Sequence, residues 1–451
     1  MKKAFRVEIE KIVYGGRGMG RINGKVVFVP FTAPGDRVRV QVLRQKKDYS
    51  EAGLQNVEQE SPLRVKPFCG LFGKCGGCQY QHISYRHQLQ LKEKGVRDSL
   101  LHLKEGKNLE VLPVIPCSHD RGYRIRAQFK GGLTDKREVL GFFGLKSHQL
   151  VEVRQCPLLH PLANEIFKGL QGWLGKKREY FVRYADIQVS PDENKGVVQL
   201  HVKGPYHSEM AERLGKEISG VKGVVVAGKK KISWGELTLL YRLPEIFGKR
   251  SLQIRAEYDS FTQVNPYQNW NLIQRVVEWA DLAGRERVLD LFCGSGNLTL
   301  PLAQRALKVW GVDQDERAVE NAQENARKNQ MDNCLFIPAA AGAGIRRILA
   351  ETKSVDVIVL DPPRAGARDV LDSLALLRPQ KIIYVSCEPP TLGRDLHRLG
   401  AMGFHVQRIQ PLDMFPHTYH IEVIAELSAV SARHPANTRD RFKDFSVFAE
   451  S

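Results

Sequence analysis

Several apolar runs in the C-terminal half of the chain stop at a residue type that can do chemistry. Tyr384-Val385-Ser386 leads into Cys387, and Glu388-Pro389-Pro390-Thr391-Leu392 follows, which reads as a strand ending where a helix begins. A thiol at a helix N-terminus gains thiolate character from the helix dipole, so Cys387 is a candidate nucleophile. Taken alone it reads more readily as a small buried hydrophobe, the usual fate of a free cysteine. A second strand end shifts that balance: Leu360 leads into Asp361-Pro362-Pro363-Arg364-Ala365-Gly366. Its prolines stiffen the exit and fix where Asp361 points, and ligands of such sheets bind outside the carboxyl ends of strands. Glu422 opens the apolar run Val423-Ile424-Ala425-Glu426-Leu427. A carboxylate there is expensive unless it is exposed or has a job.

A further motif reads Leu289-Asp290-Leu291-Phe292-Cys293-Gly294-Ser295-Gly296-Asn297-Leu298-Thr299. A buried strand runs into a Gly-x-Gly turn that opens a helix, and Gly294 and Gly296 let a cofactor approach the backbone closely. About 20 residues on, a second strand ends in Asp313, placed to accept hydrogen bonds from ribose hydroxyls. A dinucleotide site carries a third glycine, but Thr299 stands near that position. Asp290 suits the methionine ammonium of S-adenosylmethionine better than a pyrophosphate. A lone Gly-x-Gly could be only a tight turn; the pairing with Asp313 favours the cofactor.

Of eight cysteines, Cys69, Cys75 and Cys78 crowd into ten residues, and Cys156-Pro157 lies far downstream. Four thiolates suit zinc or an iron–sulfur cluster. Structural zinc usually uses two Cys-x2-Cys pairs. Three clustered cysteines and a distant, proline-followed one fit a 4Fe-4S cluster better.

The elements that must position these residues form an α/β chain. Residues 1–60 read as short alternating strands with glycine turns, a small β-barrel of the kind that often binds oligonucleotides. Residues 61–260 read as a central α+β unit carrying the cysteine site, with a helix over about 84–104. Residues 261–428 alternate strand and helix, which predicts a doubly wound, mostly parallel sheet. Its strand candidates are 287–292, 308–313, 355–360, 381–386 and 423–427, and the stretches 316–329 and 391–401 are helical. Residues 429–451 are polar and read as a flexible tail. Over its 451 residues Lys and Arg total 68 against 50 Asp and Glu, a net charge of +18. Such a charge favours a polyanionic partner. No run is long and apolar enough to span a membrane, and the charged start argues against a signal peptide, so a cytosolic protein with no membrane partner is expected.

In combination these motifs resemble the RNA uracil-5-methyltransferases that carry an N-terminal TRAM domain and a 4Fe-4S cluster. Cys75-Gly76-Gly77-Cys78-Gln79-Tyr80-Gln81-His82 and Phe261-Thr262-Gln263-Val264-Asn265 complete the resemblance, which covers nearly all of the chain except the tail. It implies that Cys387 is the nucleophile, Glu422 the general base and Asp361 the contact to the uracil edge. It implies cofactor contacts at Gln263, Phe292, Asn297 and Asp313, base stacking at Phe261, and cluster ligands at Cys69, Cys75, Cys78 and Cys156. Three positions depart from the family: Glu388 stands where Asn usually follows Ser-Cys, Asp313 where Glu is common, and Ala339-Ala340-Ala341 where a polar cofactor contact is expected. Leu412–Thr418 and Asn297–Ala303 resemble the 23S ribosomal RNA enzymes most, and transfer RNA is the alternative substrate. No obligate protein partner is implied. Two rivals are an amino-group methyltransferase, which needs neither Cys387 nor Glu422, and a redox-responsive RNA-binding protein, which does not need the cofactor residues.

Overall fold

The computed structural model describes residues 4–103, 106–134, 137–174, 180–352 and 354–429. The expected tail, from residue 430 on, lies outside the described residues.

Buried positions alternate with half-buried ones along Lys25–Pro30 and with exposed ones at the start of Arg37–Gln45, the period of a two-faced strand. Six strands between Ala4 and Gln59 join into one sheet. Three register shifts between Arg37–Gln45 and Tyr49–Gln59 bend that pair, as bulged strands do. Val7, Ile9, Val27, Val29, Val38 and Val40 fill the interior. Asp36 locks its exit: it accepts from the backbone N–H of Ala33 and Ser61 and pairs with Arg64 at 2.8 Å.

A seven-stranded sheet between Arg126 and Gly235 follows. It is antiparallel except where Lys195–Lys203 runs parallel to Val221–Ala227. The helices Pro161–Leu174 and Met210–Glu217 bury Ile166, Phe167, Leu170 and Leu214 against it.

The third sheet runs, edge to edge, Cys334–Pro338, Lys308–Asp313, Arg287–Leu291, Val357–Leu360, Lys381–Ser386, Glu422–Ala429 and Phe404–Leu412. The first five strands are parallel, and Glu422–Ala429 is antiparallel to both neighbours. Val357–Leu360 is buried at every residue because helices cover both faces. The strand order reverses at Arg287–Leu291, so its carboxyl end opens on the crevice where such sheets bind ligands.

Two strands were not expected from sequence, Cys334–Pro338 and Phe404–Leu412. Both are edge strands, and in the second the apolar alternation holds only over Phe404–Gln407 before a register shift between Val406 and Arg408 and a run of buried residues. The expected central unit of 61–260 also divides. The helix Tyr85–Leu100 and the segment to Ile115 pack on the third sheet: Val96, Leu100, Val111 and Val114 share its core. Leu112 and Ile115 donate to the carbonyls of Ile409 and Pro411. Their apolar face has no sheet of its own in the central unit, so burial takes them to the C-terminal one. Among the described residues no helix is long and apolar enough to cross a membrane.

Candidate active site

Strand ends of the third sheet converge on a cavity of about 690 Å³. Cys387, Asp361, Glu422, Asp290 and Asp313 line it, with Phe292, Gly294, Asn297, Gln263 and Phe261. Gly296 does not. Its φ of +91° and a gap of 3.3 Å from a hypothetical Cβ to Leu300 make it a turn and packing residue instead. Ala339, Ala340 and Ala341 are also absent from the lining.

The Gly-x-Gly turn is tight: Phe292 has φ 65° and Gly294 φ 53°. Nothing lies within 4 Å of a Cβ built on Gly294, so the space above it is open to a ligand. Asp313 holds the turn by accepting from Gly294 N–H at 3.0 Å and Asp315 N–H at 2.9 Å. Each of its oxygens keeps a lone pair. Asp290 is completely buried; Thr299 donates to one oxygen at 2.6 Å and the other has no partner. Burial pushes its pKa up to about 7, with Asp361 and Asp313 adding to it against the Thr299 hydrogen bond. An orphaned carboxylate oxygen beside an open glycine turn fits the ammonium of S-adenosylmethionine. Asn297 lines the cavity as expected, and its amide and that of Asn269 bond reciprocally, at 2.8 and 2.9 Å.

Cys387 ends Lys381–Ser386 where the helix Pro389–Ala401 begins. That helix also holds the Asp361 loop. Asp395 accepts from Ala367 N–H at 2.8 Å and Tyr384 OH at 2.7 Å, and Thr391 OH donates to the Arg364 carbonyl at 3.1 Å. The surroundings of Cys387 oppose the thiolate that the helix end was expected to favour. Burial, then the carboxylates of Glu422, Asp361 and Glu388, push the thiol up to about 11, against the opposing charge of Arg364. Glu422 is 4% exposed, and burial and Asp361 drive its pKa well above the ordinary carboxylate range. Burial also raises Asp361 to about 7. Arg364 is the cation that acts on both Cys387 and Glu422; the sequence showed it beside Asp361 without giving it a role.

The loop before Glu422 is pinned from outside the sheet. The carbonyl of His417 accepts from Gln79 N–H and Tyr80 N–H, and that of Phe415 accepts from Lys92. Sequence reasoning missed His420, Tyr267 and Trp270, which also line the cavity. Trp270 is 37% and Phe261 71% exposed, so apolar rings face solvent at this site. Tyr267 and Trp270 lie in the first turns of the helix Pro266–Ala280, where aromatic residues are as common at ordinary core positions.

Cys69, Cys75, Cys78 and Cys156 line a second cavity of about 280 Å³ that holds no carboxylate or histidine. All four are free thiols. Burial raises Cys75, Cys156 and Cys78, the last to about 12, and neighbouring cysteines add to each shift. Among the described residues no group of three or more His, Cys, Asp or Glu is arranged to hold a metal ion. The expected iron–sulfur site is therefore not shown.

Comparison with known proteins places this geometry. Residues 84–429 match the family model described as tRNA (Uracil-5-)-methyltransferase, and residues 3–54 match the TRAM domain. An uncharacterized RNA methyltransferase of Clostridium tetani is 34% identical over 433 residues, covering 91% of this chain and 93% of its own. One of Aquifex aeolicus is 33% identical, covering 94% and 98%. The crystal structure of Pyrococcus abyssi tRNA (uracil-54, C5)-methyltransferase in complex with S-adenosyl-L-homocysteine superposes with a TM-score of 0.71 at 26% identity. It covers 93% of this chain and 100% of its own. The chain belongs to the tRNA (uracil-5-)-methyltransferase family and is an S-adenosylmethionine-dependent RNA methyltransferase with an N-terminal TRAM domain.

Proposed function

We propose that the protein methylates carbon 5 of a specific uridine through a covalent Cys387–uracil intermediate. The observation that carries this reading is the convergence of Cys387, Asp361 and Glu422, from three strand ends, on one cavity with the Gly-x-Gly turn. Asp290 would take the cofactor's ammonium and Asp313 its ribose, with Gln263, Phe292, Gly294 and Asn297 around it. When bound, S-adenosylmethionine supplies an electrophilic methyl group. The uridine leaves its stack to reach the cavity, where the exposed Phe261 and Trp270 offer rings to bases. The Cys387 thiol gives its proton to solvent and Sγ bonds to carbon 6. The carbon 5–carbon 6 electron pair moves toward the 4-carbonyl. Asp361, raised to about 7, is partly protonated near neutral pH and can donate a hydrogen bond where that charge develops. Carbon 5 would take the methyl group as its bond to the sulfonium breaks, leaving a neutral thioether. Glu422, once ionised, removes the carbon 5 proton, the double bond reforms, and the Cys387 thiolate leaves.

The substrate we assign is 23S ribosomal RNA, on the motifs Leu412–Thr418 and Asn297–Ala303. Transfer RNA is the second reading, favoured by the P. abyssi relative. Incubation of the protein with methyl-labelled cofactor and each RNA, followed by nucleoside analysis, tests both. Labelled 5-methyluridine in ribosomal RNA alone supports the first reading, and in transfer RNA alone the second. Label on an amino nitrogen contradicts the chemistry.

The four cysteines we assign to a 4Fe-4S cluster. The support is their convergence on one cavity whose ligating side chains are all thiols, a donor set that suits iron–sulfur. Anaerobically purified protein should be brown and carry about four irons per chain. Cys78→Ser should lose iron and melt lower, because the cluster ties residues 69–78 to Cys156. Stoichiometric zinc without iron would contradict the assignment.

A further inference from the structure

The N-terminal barrel reaches the neighbourhood of the nucleophile. Tyr14 opens the turn Tyr14-Gly15-Gly16 between the strands Lys11–Val13 and Arg17–Ile22. Gly15 and Gly16 have φ of +93° and +78°, a region that favours glycine. A Cβ on Gly16 would lie 3.2 Å from that of Tyr419 and 3.1 Å from that of Gln79. The turn therefore rests on the loop that leads to Glu422. The Tyr14 ring meets Tyr419 edge-on at 5.7 Å, and Tyr419 packs on His420, which lines the active-site cavity, at 4.0 Å.

The Tyr14 hydroxyl is buried and has no hydrogen-bond partner. A buried donor left unmade is uncommon enough to ask what it serves. Glu388 is the carboxylate that acts on it most strongly, with no hydrogen bond between the two in the structure. Glu388 is the residue after Cys387, is half-buried, and forms no ion pair among the described residues. Burial, then Glu388, Tyr419 and Cys387, raise the Tyr14 pKa, so Tyr14 stays a protonated donor at any working pH. The groups acting on Cys387 are Glu422, Arg364, Asp361 and Glu388. Three of them are carboxylates that oppose its ionisation.

We propose that Tyr14 is a positioning residue for the methyl transfer: by a small side-chain turn its hydroxyl donates to Glu388 and disperses the charge that stands against the Cys387 thiolate. The barrel is then part of the catalytic centre as well as a domain that meets RNA. The inference rests on Cys387 being the nucleophile, but its test needs no turnover.

The test is alkylation of the full-length protein by iodoacetamide across a pH series, read by mass spectrometry on the peptide that contains Cys387. Below its pKa the rate follows the thiolate fraction. Glu388→Gln removes a like charge and should speed alkylation near pH 8 by about threefold to tenfold, the change for half to one pKa unit. Tyr14→Phe keeps the ring and removes the donor, so it should slow alkylation by about twofold to fivefold over the same range. In the Glu388→Gln background Tyr14→Phe should change nothing, because its effect runs through Glu388. An unchanged profile in Tyr14→Phe overturns the proposal. An equal slowing with and without Glu388 also overturns it, since Tyr14 would then act on the thiol directly. Failure of Cys387 as nucleophile would show instead as turnover by Cys387→Ala, which leaves the alkylation result standing.

Discussion

Asp290 is completely buried, with one oxygen bonded to Thr299 and the other to nothing. Its folded pKa of about 7 lies above the unfolded value, so folding favours its neutral form and stability is lost as pH rises through that range. Asp290→Asn should therefore melt no lower than the parent at pH 8, with the difference closing toward pH 5. The same change should weaken S-adenosylmethionine binding by about tenfold to a hundredfold, the worth of a charge-assisted hydrogen bond. Calorimetric titration and thermal scans at both pH values check the pair. Equal affinity would remove Asp290 from the cofactor site. Asp290, like Cys387 and Asp361, was legible as a polar residue at the end of an apolar run. The sign of the Cys387 shift was not, because Glu422 and Asp361 reach it from other strands. Tyr14, His420 and the role of Arg364 were hidden for the same reason: each matters only through neighbours distant in sequence.

The elements around the site are pinned by polar side chains inside apolar packing. Lys92, on the helix Tyr85–Leu100, pairs with Asp413, and neither side chain is exposed to solvent. Lys92 also donates to the Phe415 carbonyl at 3.0 Å, which ties that helix to the loop before Glu422. Removing one partner of a buried pair strands the other charge, which costs about 3–5 kcal/mol. Lys92→Met should lower unfolding free energy by about that much in urea titration. A loss below about 1 kcal/mol would show that Asp413 simply protonates and that the tie is unimportant. Four of the five parallel strands and the helices Glu316–Lys328 and Pro389–Ala401 were legible from apolar runs and turn residues. The edge strands and the long-range docking of residues 85–115 were not, because local pattern does not say which sheet a helix will cover.

Across the whole molecule, the barrel, central sheet and methyltransferase sheet follow one another in the chain. Yet the turn at Gly16 and the segment at Gln79–Tyr80 both close on the loop of Glu422. The charge of +18 gives this assembly an attraction for RNA that salt should screen. RNA affinity should fall by at least about tenfold between 50 and 200 mM salt, as expected for several phosphate contacts. Filter binding at fixed pH measures it, and a flat response would mean that phosphates contribute little. Composition made the polyanionic partner legible. It could not reveal that the N-terminal sheet touches the loop before Glu422, since no pattern in residues 1–60 encodes a contact with Tyr419.

The central claim is the covalent step, and the two side chains assigned to it divide it. Cys387→Ala removes the bond to carbon 6, so methylation stops and no adduct forms. Glu422→Gln leaves addition and methyl transfer intact but removes the base, a loss that typically slows turnover by about 10²–10⁴-fold. Methylated RNA should then stay bonded to Cys387. The measurement is a denaturing gel with labelled RNA and cofactor for Glu422→Gln, Cys387→Ala and the double variant. The account predicts a slow band in Glu422→Gln alone. A band that persists in the double variant, or near-normal turnover with no band in Glu422→Gln, would contradict it.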